Sequence, residues 1–123
     1  MKYILVIDDS PTIRISVEYA LKKVSVPIKH AENGQDALQK IREFKAAGDE
    51  TALCICDVNM PVMDGITFIR EFRKIDKFTP VLVLTTESEQ DKIKAGKEAG
   101  ASGWLVKPFQ PSELLGVVEK FIR

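Results

Sequence analysis

Short apolar runs alternate along the chain with longer stretches in which apolar residues recur every three or four positions. Residues 3–7 form an apolar run rich in residues that favour strands. Ile13 and Val17 then repeat at the spacing of one helix face, and Leu21 continues the same stripe. Ser10 and Pro11 stand in between, as a favourable N-cap and first helical residue. The pattern predicts a strand followed by a helix.

The same alternation recurs four more times. Strands are predicted at residues 27–31, 53–56, 80–84 and 103–106, and the last two helices at residues 88–99 and 111–122. The helical stripes comprise Ala37, Leu38, Ile41 and Phe44; Ile66, Ile69 and Phe72; Ile93, Ala95 and Ala99; and Leu114, Val117, Val118 and Phe121. Turn residues between elements are Asn33, Gly34, Pro61, Asp64 and Gly65. This order predicts an α/β fold, a doubly wound five-stranded parallel sheet with helices on both faces.

Composition narrows the class of protein. The chain has 123 residues, which suits one domain covering residues 1–123. Lys plus Arg and Asp plus Glu both number 18, so the formal net charge is zero. A chain with no excess positive charge gives no indication of nucleic acid or an acidic membrane as a partner. No apolar run could span a bilayer, and carboxylates follow the first run where a signal peptide would have a cleavage site. We expect a cytoplasmic monomer.

The two cysteines, Cys54 and Cys56, lie within an apolar run. Their position predicts small buried side chains, because a metal or redox site would need further ligands nearby.

Polar residues follow four of the predicted strands where each ends. They are Asp8 and Asp9, then Asp57, then Thr85, then Lys107. Ligands of open α/β sheets bind outside the carboxyl ends of the strands, so these side chains should converge. Each alone could have a purely structural role: helix N-terminal charge for the Asp pair, strand filler for Thr85 and a solvated charge for Lys107. Together they predict one site.

Three neighbouring carboxylates need a compensating charge. One like-charge pair at about 4 Å costs on the order of 4 kcal/mol near a protein surface. Protonation, Lys107 or a divalent cation could offset this repulsion, and Mg²⁺ suits carboxylates together with phosphate oxygens. The set indicates a magnesium and phosphate site in which one Asp acts as nucleophile.

These residues at this spacing resemble the response-regulator receiver family, and in length the stand-alone chemotaxis, or CheY-like, type. The resemblance covers residues 3–122 and implies a flavodoxin-like (βα)5 fold with strand order 2-1-3-4-5. Its motifs are Ile7-Asp8-Asp9, Asp57-Val58-Asn59-Met60-Pro61-Val62-Met63-Asp64-Gly65, Leu84-Thr85-Thr86 and Trp104-Leu105-Val106-Lys107-Pro108-Phe109.

The resemblance implies a role for each matching residue. Asp57 would accept a phosphoryl group from a phosphohistidine and become a 4-aspartylphosphate. Asp9, Asp57 and the backbone carbonyl of Asn59 would bind Mg²⁺, with Asp8 acting through a metal-bound water. Lys107 would contact the phosphoryl group, and the Lys107-Pro108 peptide would be cis. The domain would then catalyse only its own phosphorylation and dephosphorylation, without being a conventional enzyme.

The same resemblance implies a switch and a means of setting its lifetime. Thr85 would move towards the phosphoryl group, and Trp104 would occupy the space that Thr85 leaves. Asn59 and Glu87 stand at the two positions that tune the lifetime of the phosphoryl state. Few apolar residues anchor the fourth helix, as a two-state element requires.

Expected partners follow from the resemblance. They are a CheA-like sensor histidine kinase, a flagellar motor switch protein or another target at the face of helix 4, strand 5 and helix 5, and a phosphatase.

Other classes fit less well. A flavodoxin-like electron carrier, a Rossmann protein and a P-loop protein each need a phosphate loop after the first strand, where Asp8 and Asp9 stand. An Asp-nucleophile phosphatase would add a cap domain. The open alternative is a receiver from a longer regulator with a DNA-binding or enzymatic output domain. The final predicted helix runs to the last residues without a linker, which favours a stand-alone protein.

Overall fold

Five strands and five helices alternate along the chain in the computed structural model, which describes residues 1–86 and 90–122. The strands are β1 (Lys2–Ile7), β2 (Ile28–Ala31), β3 (Glu50–Asp57), β4 (Val81–Thr86) and β5 (Gly103–Lys107). The helices are α1 (Pro11–Ala20), α2 (Gly34–Ala46), α3 (Gly65–Ile75), α4 (Gln90–Ala99) and α5 (Pro111–Ile122). Within these ranges no helix has the length and apolar character that a bilayer crossing requires.

The strands form one parallel sheet in the order β2-β1-β3-β4-β5. Both the predicted fold class and the strand order implied by the resemblance are confirmed. Parallel pairing brings the carboxyl ends of all the strands to one edge of the sheet.

Helices cover both faces of the sheet, as its apolar strands require. In β1, Ile4 and Val6 belong to the core cluster on the α1 and α5 side, whereas Tyr3, Leu5 and Ile7 belong to the cluster on the α2 and α3 side. All five are buried. Each side chain of this size contributes about 1.5–3 kcal/mol by leaving water. Strand β1 is therefore packed on both faces of the sheet.

The predicted helical stripes of α1, α2 and α5 are buried or partly buried, the stripe of α3 is shifted, and the three residues of the α4 stripe are only partly buried. Ile69 and Phe72 are fully buried as predicted, but Ile66 is only partly buried and Phe68 is fully buried instead. Phe68 and Phe72 stack with ring centroids 5.5 Å apart, so the inward face of α3 is centred on this pair. Cys54 is a fully buried free thiol, as is Cys56, which confirms the prediction for both.

Among the described residues, side-chain caps begin α1, α2 and α3. Ser10 caps α1, as predicted. Asn33 Oδ1 accepts the backbone N–H of Asp36 at 2.9 Å, and Asp64 Oδ1 accepts that of Thr67 at 2.8 Å. These asparagine and aspartate residues, which the sequence suggested only as turn residues, therefore start α2 and α3.

Helix α4 has little apolar anchoring. Gly96 is its one buried residue, and it has no side chain to pack. The Arg73 guanidinium of α3 instead holds the chain just beyond the helix, with Nε at 3.0 Å and Nη2 at 2.9 Å from the Gly100 carbonyl oxygen. The expectation of few anchors is confirmed; the predicted start at residue 88 lies outside the described residues.

Candidate functional site

The polar residues predicted to meet do lie at one edge of the sheet. Strands β3, β4 and β5 run one or two residues further than predicted, so that Asp57, Thr85 and Lys107 belong to the strands themselves. Asp57 pairs with Leu84, and Lys107 pairs with Thr86. Parallel strand pairing continues to these positions, and it fixes where each residue lies along its strand relative to the neighbouring strand.

Three carboxylates form the centre of the site. Asp8, Asp9 and Asp57 each offer an oxygen, and these oxygens all lie within 4.8 Å of one another. Asp8 is buried, Asp57 is partly buried and Asp9 is exposed. The cluster is therefore open to solvent on the side of Asp9 and closed on the side of Asp8.

Of the three carboxylates, Asp8 lies in the environment that is least favourable for a negative charge. Its Oδ1 accepts the Ser10 backbone N–H at 2.9 Å, but its Oδ2 is buried without a hydrogen-bond partner among the described residues. Burial raises the pKa of the Asp8 carboxyl group, and the neighbouring Asp57 and Asp9 charges act in the same direction. Such a buried, unpartnered oxygen fits a cation or a cation-bound water as its missing partner.

Lys107 supplies the positive charge that meets Asp57. Its Nζ donates to Asp57 Oδ1 at 3.1 Å, and these side chains are 27% and 12% exposed. Partial burial limits screening of this pair by solvent. The following peptide, Lys107-Pro108, is cis, as the resemblance implied.

Thr85 and Trp104 lie on neighbouring strands. Thr85 is 1% exposed, and its Oγ1 donates to the Thr86 carbonyl oxygen at 3.4 Å. Trp104 pairs with Val83, two residues before Thr85, so both side chains project from the same face of the sheet. Trp104 is 40% exposed, and Lys97 Nζ of α4 lies 5.6 Å from the centroid of its ring. Thr85 therefore lies inside the fold, while the tryptophan lies at its surface.

Asn59 is exposed and lies two residues beyond the end of β3. Lys92 Nζ of α4 donates a hydrogen bond to Asn59 Oδ1. Sequence reasoning missed this contact, because nothing in the spacing of two polar surface residues signals that they meet. Glu87, the other residue predicted to tune lifetime, lies outside the described residues, and its role stays a prediction.

The loop between β3 and α3 approaches the site very closely. A Cβ atom on Gly65 would lie 2.3 Å from the Asp57 carbonyl oxygen. Val62 has a φ of 68°, which a β-branched residue rarely adopts, and its neighbour Met63 donates its N–H to the Pro61 carbonyl oxygen at 2.7 Å. The backbone path here thus depends on a glycine and on a strained valine.

The donor set fits Mg²⁺. The cluster offers hard oxygen ligands, an unpartnered buried oxygen and an exposed side where phosphate oxygens and waters can complete an octahedral shell. Lys107 places its positively charged ammonium group beside the Asp57 carboxylate. Together these groups can bind a divalent cation and a phosphoryl group at one aspartate.

Comparison with known families agrees with this geometry. A family model described as the response regulator receiver domain matches residues 4–119. Among curated relatives, the transcriptional regulatory protein PrrA of Mycobacterium tuberculosis is 35% identical over 98% of the chain, which spans 49% of that protein. The chain thus covers about half the length of this relative.

Other relatives match over nearly their whole length. The chemotaxis protein CheY of Thermotoga maritima is 31% identical, and the match covers 97% of the chain and 96% of that protein. The structure of the chemotaxis protein CheY4 of Vibrio cholerae has 40% sequence identity and a TM-score of 0.85, with 98% of both chains covered. The same fold therefore occurs both in transcriptional regulators and in chemotaxis proteins.

Proposed function

The chain belongs to the response regulator receiver family, and from that premise we propose that it is a phosphorylation-dependent switch whose acceptor is Asp57. Proteins of this family receive their phosphoryl group from histidine kinases. The observation that carries the proposal is the cluster of Asp8, Asp9 and Asp57 oxygens within 4.8 Å, with Lys107 Nζ at 3.1 Å from Asp57.

Phosphoryl transfer needs alignment and charge neutralisation more than covalent assistance. An oxygen of Asp57 attacks the phosphorus of a phosphohistidine; the new P–O bond forms as the P–N bond breaks, and the bonding electrons leave with the imidazole nitrogen, which takes up a proton from water. Asp8, Asp9, Asp57 and the Asn59 carbonyl would hold Mg²⁺, which when bound supplies positive charge to the phosphoryl oxygens. Lys107 would then donate to a phosphoryl oxygen.

The chain would catalyse only this transfer and the later hydrolysis of the phosphorylated Asp57. In hydrolysis a water oxygen bonds to phosphorus, the bond to Asp57 breaks, and the water proton goes to the released phosphate. Such chemistry needs no further substrate, which is why we do not propose a conventional enzyme.

Mass measurement tests the acceptor. Incubation with acetyl phosphate and Mg²⁺ should add one phosphoryl group to the intact wild-type chain, because the cluster neutralises the incoming group. Removing Mg²⁺ with EDTA should prevent the addition, and Asp57→Asn should take up none. Asp64→Asn, an exposed aspartate of the same loop, is the control and should be labelled normally. An unlabelled wild type, or equal labelling of Asp57→Asn, would contradict the proposal.

The switch would run from Asp57 through Thr85 to Trp104. A phosphoryl group adds negative charge and acceptor oxygens beside the buried Thr85 hydroxyl. Movement of Thr85 towards them would leave space on the face of the sheet that Trp104 shares. The change would reach partners through α4, β5 and α5.

Tryptophan fluorescence tests this switch, because the sequence contains a single Trp. Mg²⁺ with the phosphoryl mimic beryllofluoride should shift the Trp104 emission to shorter wavelength, because this 40% exposed residue would move inward. Thr85→Ala should bind the mimic with a smaller shift, since it lacks the hydroxyl. A spectrum that stays constant at saturating mimic means that Trp104 is a static side chain.

We further propose a chemotaxis pathway in the cytoplasm, with a CheA-like kinase as donor, a flagellar motor switch protein as target, and a phosphatase acting on the product. The 40% identity to CheY4 over 98% of both chains supports this choice. The alternative is a receiver that controls a DNA-binding or enzymatic output domain, as the similarity to PrrA suggests. Target binding that strengthens with beryllofluoride for the motor protein, and not for DNA, would separate them.

A further inference from the structure

Arg14 of α1 contacts the backbone of the buried aspartate of the site. Its Nη1 donates a hydrogen bond to the Asp8 carbonyl oxygen at 2.5 Å, and Arg14 is itself partly buried. Hydrogen bonds from charged donors are stronger than those between neutral groups. The guanidinium therefore ties the connection between β1 and α1 to the helix that follows it.

The place of Arg14 within α1 does not favour a positive charge. It is the fourth residue of the helix, near the positive end of the helix dipole, and the first turn contains no acidic residue to offset it. The favourable contact that the structure shows for this charge is the one with the Asp8 carbonyl oxygen. That contact is where a role for the arginine is to be sought.

Arg14 completes the set of hydrogen bonds that hold Asp8. The Asp8 N–H donates to the Ala31 carbonyl oxygen at 3.1 Å, and the Asp8 carbonyl oxygen accepts from Arg14. Its Oδ1 accepts the Ser10 N–H at 2.9 Å. Since peptide groups are planar, holding both peptide groups of a residue fixes the direction of its Cα–Cβ bond. The Oδ2 that remains is buried and without a partner among the described residues, so Arg14 helps to aim the oxygen that a cation or its bound water can use.

The same hydrogen bond orients Asp9. The carbonyl group that Arg14 holds belongs to the planar peptide that joins Asp8 to Asp9, so its orientation also sets the position of the Asp9 Cα atom. Asp9 is exposed, and little packing can fix it otherwise. One guanidinium thus acts on two of the three carboxylates of the cluster.

We propose that Arg14 is a positioning residue for the cation site, which holds the Asp8–Asp9 peptide so that both carboxylates face the cation. The inference rests on the proposed function, since it requires the carboxylate cluster to bind Mg²⁺. Groups that orient metal ligands without touching the metal typically contribute roughly 10–100-fold to its affinity.

The charge of Arg14 and its hydrogen bond have opposite effects on cation binding. A positive charge beside the cluster repels Mg²⁺, so loss of the charge alone should strengthen binding. Loss of the hydrogen bond frees the Asp8–Asp9 peptide and should weaken binding. The sign of the change in affinity therefore separates a positioning role from a purely electrostatic one.

Mg²⁺ titration of Arg14→Met tests the proposal, because methionine keeps an apolar stem and has no donor. The backbone amide signal of Asp57 in a nitrogen–proton NMR spectrum reports binding to the folded chain, so a loss of stability does not alter the result. The Kd for Mg²⁺ should rise about tenfold. Arg42→Met makes the same charge change at an exposed position in the second half of α2 and should bind like wild type. An equal or lower Kd in Arg14→Met overturns the proposal.

Two further measurements ask whether Arg14 acts through the Asp8–Asp9 peptide. In Asp8→Asn, adding Arg14→Met should raise the Kd by a smaller factor than in wild type, because one of the oriented ligand oxygens is already absent. Factors that multiply in full would mean that Arg14 acts independently of Asp8. In EDTA, the Asp9 backbone amide signal should shift in Arg14→Met and stay in place in Arg42→Met. An Asp9 signal that does not move means that the peptide is held without Arg14.

Folding of the variant is checked by urea unfolding in EDTA. If Arg14→Met is unfolded, Arg14→Lys takes its place, because it keeps the charge and loses only the geometry of the guanidinium. Its Kd should also exceed that of wild type, by a smaller factor, and an equal Kd overturns the proposal.

The outcomes separate this inference from the proposed function. A wild type that binds no Mg²⁺ contradicts the proposed function, and with it the role of Arg14. A wild type that binds Mg²⁺ no more tightly than the folded Arg14 variant overturns the role of Arg14 alone.

Discussion

Replacing Gly65 by alanine is expected to destabilise the fold by about 3 kcal/mol and to abolish phosphate uptake. A Cβ atom would lie 2.3 Å from the Asp57 carbonyl oxygen and 3.1 Å from Cys56 Sγ. Neither atom can move easily, because both belong to residues of β3, the strand that contains the acceptor Asp57. The first turn of α3 or the end of β3 must move, and either movement displaces Asp57 from its neighbours. Urea unfolding and the intact-mass assay measure the two effects.

Gly116→Ala is the matched control for this substitution. Gly116 lies within α5, and among the described residues no atom outside its chain neighbours and the backbone of its own helix lies within 4 Å of the position of its added Cβ. Alanine there should stabilise the protein by roughly 0.5–1 kcal/mol, because glycine loses more backbone entropy on folding. The two substitutions should therefore change stability in opposite directions. If Gly65→Ala unfolds at the wild-type urea concentration, α3 can pack without the close approach to Asp57.

Replacing Asp8 by asparagine is expected to stabilise the chain by about 1–3 kcal/mol in EDTA and to reduce the stabilisation by Mg²⁺. The amide keeps the Oδ1 that accepts the Ser10 N–H, and it removes a buried charge beside Asp57 and Asp9. It also removes a ligand oxygen. Wild type should gain about 2.7 kcal/mol when Mg²⁺ exceeds its Kd 100-fold, and the variant less. Thermal unfolding with and without Mg²⁺ measures both effects.

In EDTA, the difference in unfolding free energy between the wild type and Asp8→Asn should depend on pH. Burial raises the pKa of folded Asp8 above its ordinary value of 3.8, so this group favours folding below that pH and loses that contribution as the pH rises through the folded pKa. The unfolding free energy of the wild type should therefore fall further below that of Asp8→Asn as the pH rises from 3.8 through the pKa of folded Asp8. The comparison cancels other carboxyl groups, such as Asp76, whose pKa is lowered by hydrogen bonds from Thr79 despite its burial.

Asp9→Asn is the control for burial. Asp9 belongs to the same cluster but is exposed, so its replacement should give a smaller gain in EDTA while still weakening Mg²⁺ binding. Equal stabilisation by both variants at neutral pH would mean that charge repulsion, and not the burial of Asp8, sets the stability of the metal-free chain.

The sequence by itself determined the architecture and the membership of the site. Apolar runs at residues 4–7 and 81–84 have no polar face, so they had to be covered on both sides, and alternation with helices required parallel strands. Parallel strands end at one edge, which is why Asp8, Asp57 and Lys107 could be placed together before any distance was known. These inferences rest on periodicity and chain direction, which are properties of the sequence alone.

Only the tertiary structure decided how the members of the site differ. Neighbouring aspartates look alike in the sequence, yet Asp8 is buried and Asp9 is exposed. The meeting of Lys92 with Asn59 and the approach of Gly65 to Asp57 also had no sequence signal. Each depends on the path of a loop and on how a helix packs against the sheet, and these follow from the sum of many contacts. A local pattern of polar and apolar residues indicates which face of its helix or strand a residue occupies. It does not indicate which residue of another element that residue contacts.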